Sequence, residues 1–436
     1  MTEQRAEQAR LVGVILGGLV IVSIYAFPGY IAYDSLDQLR QARAGVMTDW
    51  HPPIMSALWG LLDRIVSGAL LMLVLQCSLF LGGLYALLRR KLEPTRAVVL
   101  TLVIFAMPPV LTMMAVILKD CLMAGALLVG CAGLTSKRRW AQYAALAMFL
   151  LAAGLRHNAI SVVVPLVALL SPWPASKGPW VRGIVGGVIG LALMGSAMLI
   201  NKGLTDVQSH PFQGMLAPMD IVNTVALAPD LSDDEVRELM PGITFARASG
   251  LQEHARSLFN IYALPQNFAQ GEGRFYDGPT TDEGRADVSH AWWSLVTTYP
   301  GAYLTARFQM MRELIGLTDA KYTPVYEVRN EAAMLKANGE PAVERNVVQR
   351  WLAKKMIRLG RSSLLFRPYL YLLLCIGLLV QLRRDRVMVA LLLSGLSYLA
   401  LDVIAIPGPD IRYLWWLMVV TLIAVAVRLF ARRVVE

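Results

Sequence analysis

The chain has 436 residues, of which 56% are hydrophobic and only 17% charged, with a mean hydropathy of +0.51. A soluble globular domain is usually about a quarter charged, so this composition excludes one and predicts an all-α polytopic membrane protein. The net charge of +10 would suggest a nucleic-acid partner in a soluble chain. Here the basic residues sit between apolar runs, so they report membrane topology and no nucleic acid is expected.

A helical span needs about 20 largely apolar residues. Ten are expected, near 11–27, 68–88, 97–118, 121–135, 140–155, 159–172, 182–201, 364–381, 387–405 and 412–428. The first run lacks a small-residue cleavage site before "FPGY" and reads as an uncleaved span. Trp140–Leu170 is either two spans divided by "RHN" or one long helix; the charge distribution favours two. One side of this arrangement collects Arg5, Arg10, "RRKLEPTR", "SKRR", "RRDR" and the basic C-terminus. The opposite short loops carry only Arg40, Arg43, Lys119, Arg156 and Arg412. The positive-inside rule makes the first side cytoplasmic, with both termini on it. The resulting parts are an N-terminal membrane region (1–201) with an external first loop (28–53), an external, mostly helical insertion (202–363), and C-terminal membrane helices (364–436). Within the insertion, "SDDEVRELM" carries a capping serine and an acidic first turn. The tryptophans of "HAWWSLVTTYP" read as a packing or interface belt. The four cysteines, Cys77, Cys121, Cys131 and Cys375, lie in apolar segments without metal-like spacing, which argues against disulfides and a cysteine metal site.

The first external loop, "YDSLDQLRQARAGVMTDWHPP" (Tyr33–Pro53), is unusually polar. Asp34, Asp37, Gln38 and Gln41 fall at i, i+3, i+4 and i+7, one face of a short helix. Asp34 as N-cap, with Asp37 three residues on, has the form of a capping box; Asp49 or His51 before Pro52 suits a helix start with proline at its first position. Cations that could face a phosphate occur at other external helix ends: Lys119 with Asp120 in "ILKDC", Arg156 and His157 in "LRHNA", and Arg412 with Asp410 in "PGPDIRYLWW". Such residues also serve as interfacial anchors. Asp402 is an acid just inside a span, a functional candidate by its placement. Before span eight, "NVVQRWLAKKMIRLGR" sets Val348, Leu352, Met356 and Leu359 on one face and Arg350, Lys354, Arg358 and Arg361 on another. This basic amphipathic helix suits the membrane interface, through anionic headgroups in general or a polyprenyl phosphate in particular. No nucleotide-binding glycine loop or HExxH zinc spacing occurs.

A first span, then an early aspartate in an external loop, then "DWHPPIMSALW" (Asp49–Trp59), resembles the GT-C superfamily of polytopic glycosyltransferases. The D-x-HPP portion looks most like protein O-mannosyltransferases, with lipid A aminoarabinose transferases more distant. The resemblance covers about the first 60 residues and the general architecture. It departs where mannosyltransferases carry Asp-Glu and this chain has Asp34-Ser35, and in a shorter spacing to HPP. It implies an inverting transfer of a sugar from a polyprenyl-phosphate donor to a glycan, lipid or protein acceptor, on the outer face of a bacterial-type inner membrane. Asp34 would be the base, with Asp37 or Asp49 as alternatives. His51, Lys119, Arg156, His157, Arg412 and Arg358 are the candidates for substrate and phosphate, with Asp120, Asp402 and Asp410 beside them. Some members use a divalent cation such as Mg²⁺ or Mn²⁺ and others none. A lipid-linked-glycan flippase and an O-antigen-ligase-like transferase are the alternative functions. Transporters often carry repeated halves, and no repeat is visible here.

Overall fold

A computed structural model describes residues 3–262, 265–318, 331–341 and 343–431. Those residues are mostly helical, and among them only isolated bridges, such as Tyr30 with Val116, represent β pairing. The helices, in order, are α1 (Glu3–Ala26), α2 (Tyr33–Ala44), α3 (Ile54–Asp63), α4 (Leu70–Arg89), α5 (Pro94–Ala106), α6 (Pro108–Met114), α7 (Lys119–Leu134), α8 (Arg139–Leu155), α9 (Ile160–Leu170) and α10 (Pro179–Leu204). Next come α11 (Ala217–Leu227), α12 (Asp233–Leu239), α13 (Leu251–Leu258), α14 (Asp282–Thr298), α15 (Pro300–Leu314), α16 (Glu331–Ala337), α17 (Val347–Ser362), α18 (Pro368–Gln381), α19 (Arg386–Ala405) and α20 (Trp415–Phe430).

A helix stands at each place where a span was expected. Among the described residues, five stretches are long and apolar enough to cross a membrane: Glu3–Ala26, Leu70–Arg89, Pro179–Leu204, Arg386–Ala405 and Ile411–Phe430. The expected span over 97–118 is not one rod. It breaks into α5 and α6, bent by 73°. The cause is Pro108-Pro109: proline offers no N–H, and it drives the preceding Met107 out of the helical region to ψ 132°. Counted together, this pair would make a sixth span. Trp140–Leu170 is two helices, α8 and α9, separated at Arg156–Ala159. One apolar helix, α3, lies outside the ten expected spans, just after the helix start that the sequence suggests at Pro52.

The chain forms two compact units. The first comprises Met1–Val207, Lys321–Leu399 and Leu414–Glu436; the second comprises Gln208–Ala320 with Ala400–Tyr413. The expected insertion 202–363 is therefore divided, and α16 and α17 belong with the first unit.

In the first unit α7 is the core helix, packed on α4 and α8. Its approach to α4 depends on the absence of side chains. A Cβ on Gly83 would stand 2.6 Å from Leu128 Cβ and Val129 N, and one on Gly125 would stand 3.0 Å from Phe80 N. Small residues at such crossings let helix backbones close up, as at many membrane helix interfaces. The cysteines are free and buried, Cys77 on α4, Cys121 and Cys131 on α7, and Cys375 on α18.

In α17, Asn346 caps the helix and accepts from Gln349 N at 2.9 Å. Its expected apolar stripe is largely spent inside the protein. Met356 and Leu359 pack on Ile357 and Phe366, and the helix lies against α1 and α6. Only Val348 of that stripe is exposed, while Arg350, Lys354, Arg358 and Arg361 all face outward.

In the second unit, Ser232 caps α12 as its sequence indicates, with Glu235 returning the bond to Ser232 N at 2.7 Å. Its interior holds a buried ion pair, Arg307 to Asp220 at 2.6 Å, to which Trp292 Nε1 donates at 2.8 Å. Trp292 is thus a packing residue with a polar tether, and Trp293 is exposed.

Candidate active site

The loop that follows α1 is built onto the break between α6 and α7. Tyr30 N donates to Ala115 O, and Ile117 N donates back to Tyr30 O, each at 2.9 Å. Gln76, an amide inside the apolar helix α4, donates to Met114 O and Val116 O, both at 2.9 Å. Backbone groups freed by a broken helix need such partners wherever water is excluded. The break thereby delivers Lys119 and Asp120 as the first two residues of α7.

Asp34 does not cap α2. The N-cap is Ala32, and Ser35 Oγ takes the Ala32 N–H at 3.3 Å while donating to Ile117 O. The serine that departs from the Asp-Glu pattern thus fixes the start of α2, and the Asp34 carboxylate has no share in the cap. Leu36 and Leu39 are buried beneath the helix, and Gly45, at φ 68°, ends it. Asp49 and His51 do not cap α3 either: α3 begins at Ile54, whose N–H goes to Asn201 Oδ1 at 3.2 Å. Asn201 of α10 also donates to Gly154 O at 2.9 Å, tying α3, α8 and α10 together.

These constraints bring most of the expected residues of the first unit together. His51 is buried, with Nδ1 2.7 Å from Lys119 Nζ and Nε2 3.8 Å from Asp34 Oδ1. With Lys119 as an ammonium, which has no acceptor, it donates to Nδ1, and a neutral ring then carries its proton on Nε2, facing Asp34. Arg156, at the α8–α9 break, pairs with Asp120 at 2.5 Å and donates to Asn158 Oδ1 at 3.1 Å. Both members of the Arg156–Asp120 pair are buried, and buried charges persist only when so partnered. His157 hydrogen-bonds the backbone of Asp49. Its ring keeps an exposed edge, yet the protein around it, and then Lys119 and Arg156, hold its pKa below the ordinary 6.5.

Asp37 lies one turn beyond Asp34, and Gln41 donates to it at 2.7 Å. Burial raises its pKa above 3.8; the Gln41 bond opposes this, nearby Asp34 adds to it, and Arg40 and Lys119 pull it back. Gln41 also donates to Thr48 Oγ1 at 3.2 Å and accepts from Thr48 N at 3.1 Å. Among the described residues no group of three or more His, Cys, Asp or Glu is placed to hold a metal ion.

Four expected residues lie elsewhere. Asp402, Asp410 and Arg412 belong to the second unit, where Asp402 is buried and Arg412 pairs with Asp410 at 2.8 Å. Arg358 is on the exposed face of α17.

Sequence reasoning misses Glu331 and Arg345. Glu331 accepts the Ile31 N–H at 2.7 Å. Arg345 grips Glu331 through Nη2 at 2.7 and 2.8 Å, donates to Phe27 O at 2.7 Å and Gly29 O at 2.8 Å, and lies 4.3 Å over the Tyr30 ring. Together they fasten the turn that leads into Asp34. A segment some 300 residues downstream has no local signal for this; Gln76, a lone amide in an apolar span, has one.

The chain is thus an all-helical protein with membrane-length apolar helices, carrying a half-buried acid–base cluster where four broken or beginning helices meet. Comparison with protein-family models, curated proteins and solved structures finds no match to it.

Proposed function

We propose that this protein is an inverting glycosyltransferase of the GT-C type, which moves a sugar from a polyprenyl-phosphate donor to an acceptor hydroxyl at the outer face of a bacterial-type inner membrane. The observation that carries this reading is the Asp34–His51–Lys119 line, held at 3.8 and 2.7 Å at the end of the first apolar helix. The acceptor oxygen attacks the anomeric carbon as the bond from that carbon to the phosphate oxygen breaks, through a transition state of oxocarbenium character. The proton passes to Asp34, and the carrier leaves as polyprenyl phosphate. Phosphate is already a good leaving group, so one carboxylate serves as general base. His51 directs its Nε2–H at Asp34 and orients it. Lys119 and Arg156, fixed by His51 and Asp120, supply positive potential for the departing phosphate. A divalent cation would fall to Asp34 and Asp37, since Mg²⁺ is held by one or two carboxylates plus substrate phosphates; it would neutralise phosphate charge.

Asp34→Asn in purified protein tests the reading. Side-chain shape is kept and the cap of α2 is untouched. Among what the fold loses is the interaction of one carboxylate with the helix N-terminus, about 0.3–1 kcal/mol, together with its charge beside His51. Transfer should fall at least about 10²-fold, the lower end for a lost general base. Transfer within a few-fold of wild type would remove Asp34 as the base. Inactivity of Asp37→Asn in its place would move the role one turn along α2.

A further inference from the structure

The connection between α18 and α19 takes no part in the proposed chemistry, and it holds a cavity of about 540 Å³ lined by Val380, Gln381, Leu382, Arg383, Arg384 and Asp385. Polar contacts gather other helix ends around it. Arg428, in the last turn of α20, donates through Nε to Gln381 Oε1 at 2.8 Å. Lys91, in the turn between α4 and α5, pairs with Asp385 at 2.7 Å. Arg386, the first residue of α19, turns to Leu169 O and Ser171 O at the end of α9. The cavity thus sits where α18 ends, α19 begins and α20 ends. Arg386–Ala405 is 20 residues long, about 30 Å of helix, which matches the thickness of a hydrocarbon core. With α19 crossing a bilayer, the cavity at its start lies at the level of the headgroups.

The charge of the lining is positive. Its one acid is Asp385, whose carboxylate is neutralised by Lys91 and also accepts from Val387 N at 3.2 Å and Met388 N at 3.3 Å. Arg383 and Arg384 are exposed, and among the described residues neither is engaged by a carboxylate. A third cation, Arg428, stands one hydrogen bond behind the lining residue Gln381. A guanidinium presents paired N–H donors that match two phosphate oxygens. The apolar side of the site is also built. Leu373, Ile376 and Val380 share one face of α18 at i, i+3 and i+7 and are 49–67% exposed. Val380 is itself a wall of the cavity, so an acyl chain lying on that face ends at the two arginines. Basic pockets between membrane helices are where anionic headgroups dock.

We infer that this cavity binds one anionic glycerophospholipid, with the phosphate between Arg383 and Arg384 and an acyl chain along the Leu373–Val380 face of α18. The inference rests on α19 crossing a membrane and is independent of the sugar-transfer reading.

The test is native mass spectrometry of the intact detergent-solubilised protein, titrated in parallel with phosphatidylglycerol and phosphatidylcholine of identical chains. Wild type should retain phosphatidylglycerol preferentially. Arg383→Gln/Arg384→Gln should weaken that retention by about tenfold or more and leave phosphatidylcholine unchanged. Arg383→Lys/Arg384→Lys, which keeps both charges, should recover part of the loss and show that it is a loss of charge and not of fold. Arg138→Gln/Arg139→Gln removes an equally exposed arginine pair at the start of α8 and should leave phosphatidylglycerol retention unchanged. Equal retention of the two lipids by wild type overturns the inference. So does an equal loss from the Arg138/Arg139 variant, which would mean general attraction to a basic surface. Displacement of phosphatidylglycerol by excess glycerol 3-phosphate also overturns it, and would give the arginines to a soluble phosphate.

Discussion

Arg345→Gln should loosen the turn on which Asp34 depends. In the native chain the guanidinium pairs with Glu331 while bonding Phe27 O and Gly29 O, and both charged side chains are under a tenth exposed. Removing one partner of a buried ion pair costs roughly 3–5 kcal/mol, because the other charge is left unpaired. At about 2 °C per kcal/mol, the figure for chains of a few hundred residues, the thermal midpoint should fall by about 6 °C or more. The deficit should also depend on pH. Burial raises the Glu331 pKa above 4.5 even with Arg345 pulling it down, and without Arg345 it rises further. A carboxylate with a raised folded pKa destabilises the fold as pH climbs through that pKa, so the deficit should grow from pH 5 to pH 8. Adding Glu331→Gln to Arg345→Gln removes the stranded charge and should recover part of the loss, a coupling within the roughly 0.5–3 kcal/mol expected of contacting residues. Midpoints in detergent, measured by tryptophan fluorescence or a thiol-reactive dye, give each value. A midpoint within about 2 °C of wild type at pH 8, with no coupling to Glu331, would refute the reasoning.

Asp37→Asn removes a carboxylate whose ionisation burial opposes. It should stabilise the protein at neutral pH, and that advantage should shrink as pH is lowered toward 4; a constant difference across pH would contradict the burial argument. Gly83→Leu drives a side chain into the backbone of α7 and should cost at least the roughly 1–3 kcal/mol of an overpacked core; a wild-type midpoint would show that α4 and α7 do not approach this closely. Single cysteines at Asp234 and Glu253 should react with an impermeant maleimide in intact cells, while one at Arg96 should not. Labelling of the first two only after permeabilisation would invert the topology and separate them from an outward-facing Asp34.

The all-helical class was legible from composition and run length alone, because a bilayer demands internally bonded backbone and long apolar stretches. The short polar helix after the first span was legible too: residues at i, i+3, i+4 and i+7 share a face whatever the tertiary context, and Asp37 and Gln41 do meet on it. So was the break at Pro108-Pro109 in principle, although hydropathy averaged over 97–118 hides two prolines inside one apolar run. Local sequence could not say which polar group would do which task. Ser35, Asp34, Asp49 and His51 are all competent caps or partners, and only the packing of α2 against the α6–α7 break gives the cap to Ser35 and turns His51 toward both Lys119 and Asp34. The basic residues at helix ends look alike in sequence. Asp120 claims Arg156 and Asp410 claims Arg412 because burial forces each charge to find a partner among whatever the fold brings near. Glu331 and Arg345 mark the limit of local reading, since residues that hold the turn before Asp34 from some 300 positions away acquire that role only when the tertiary structure removes them from water.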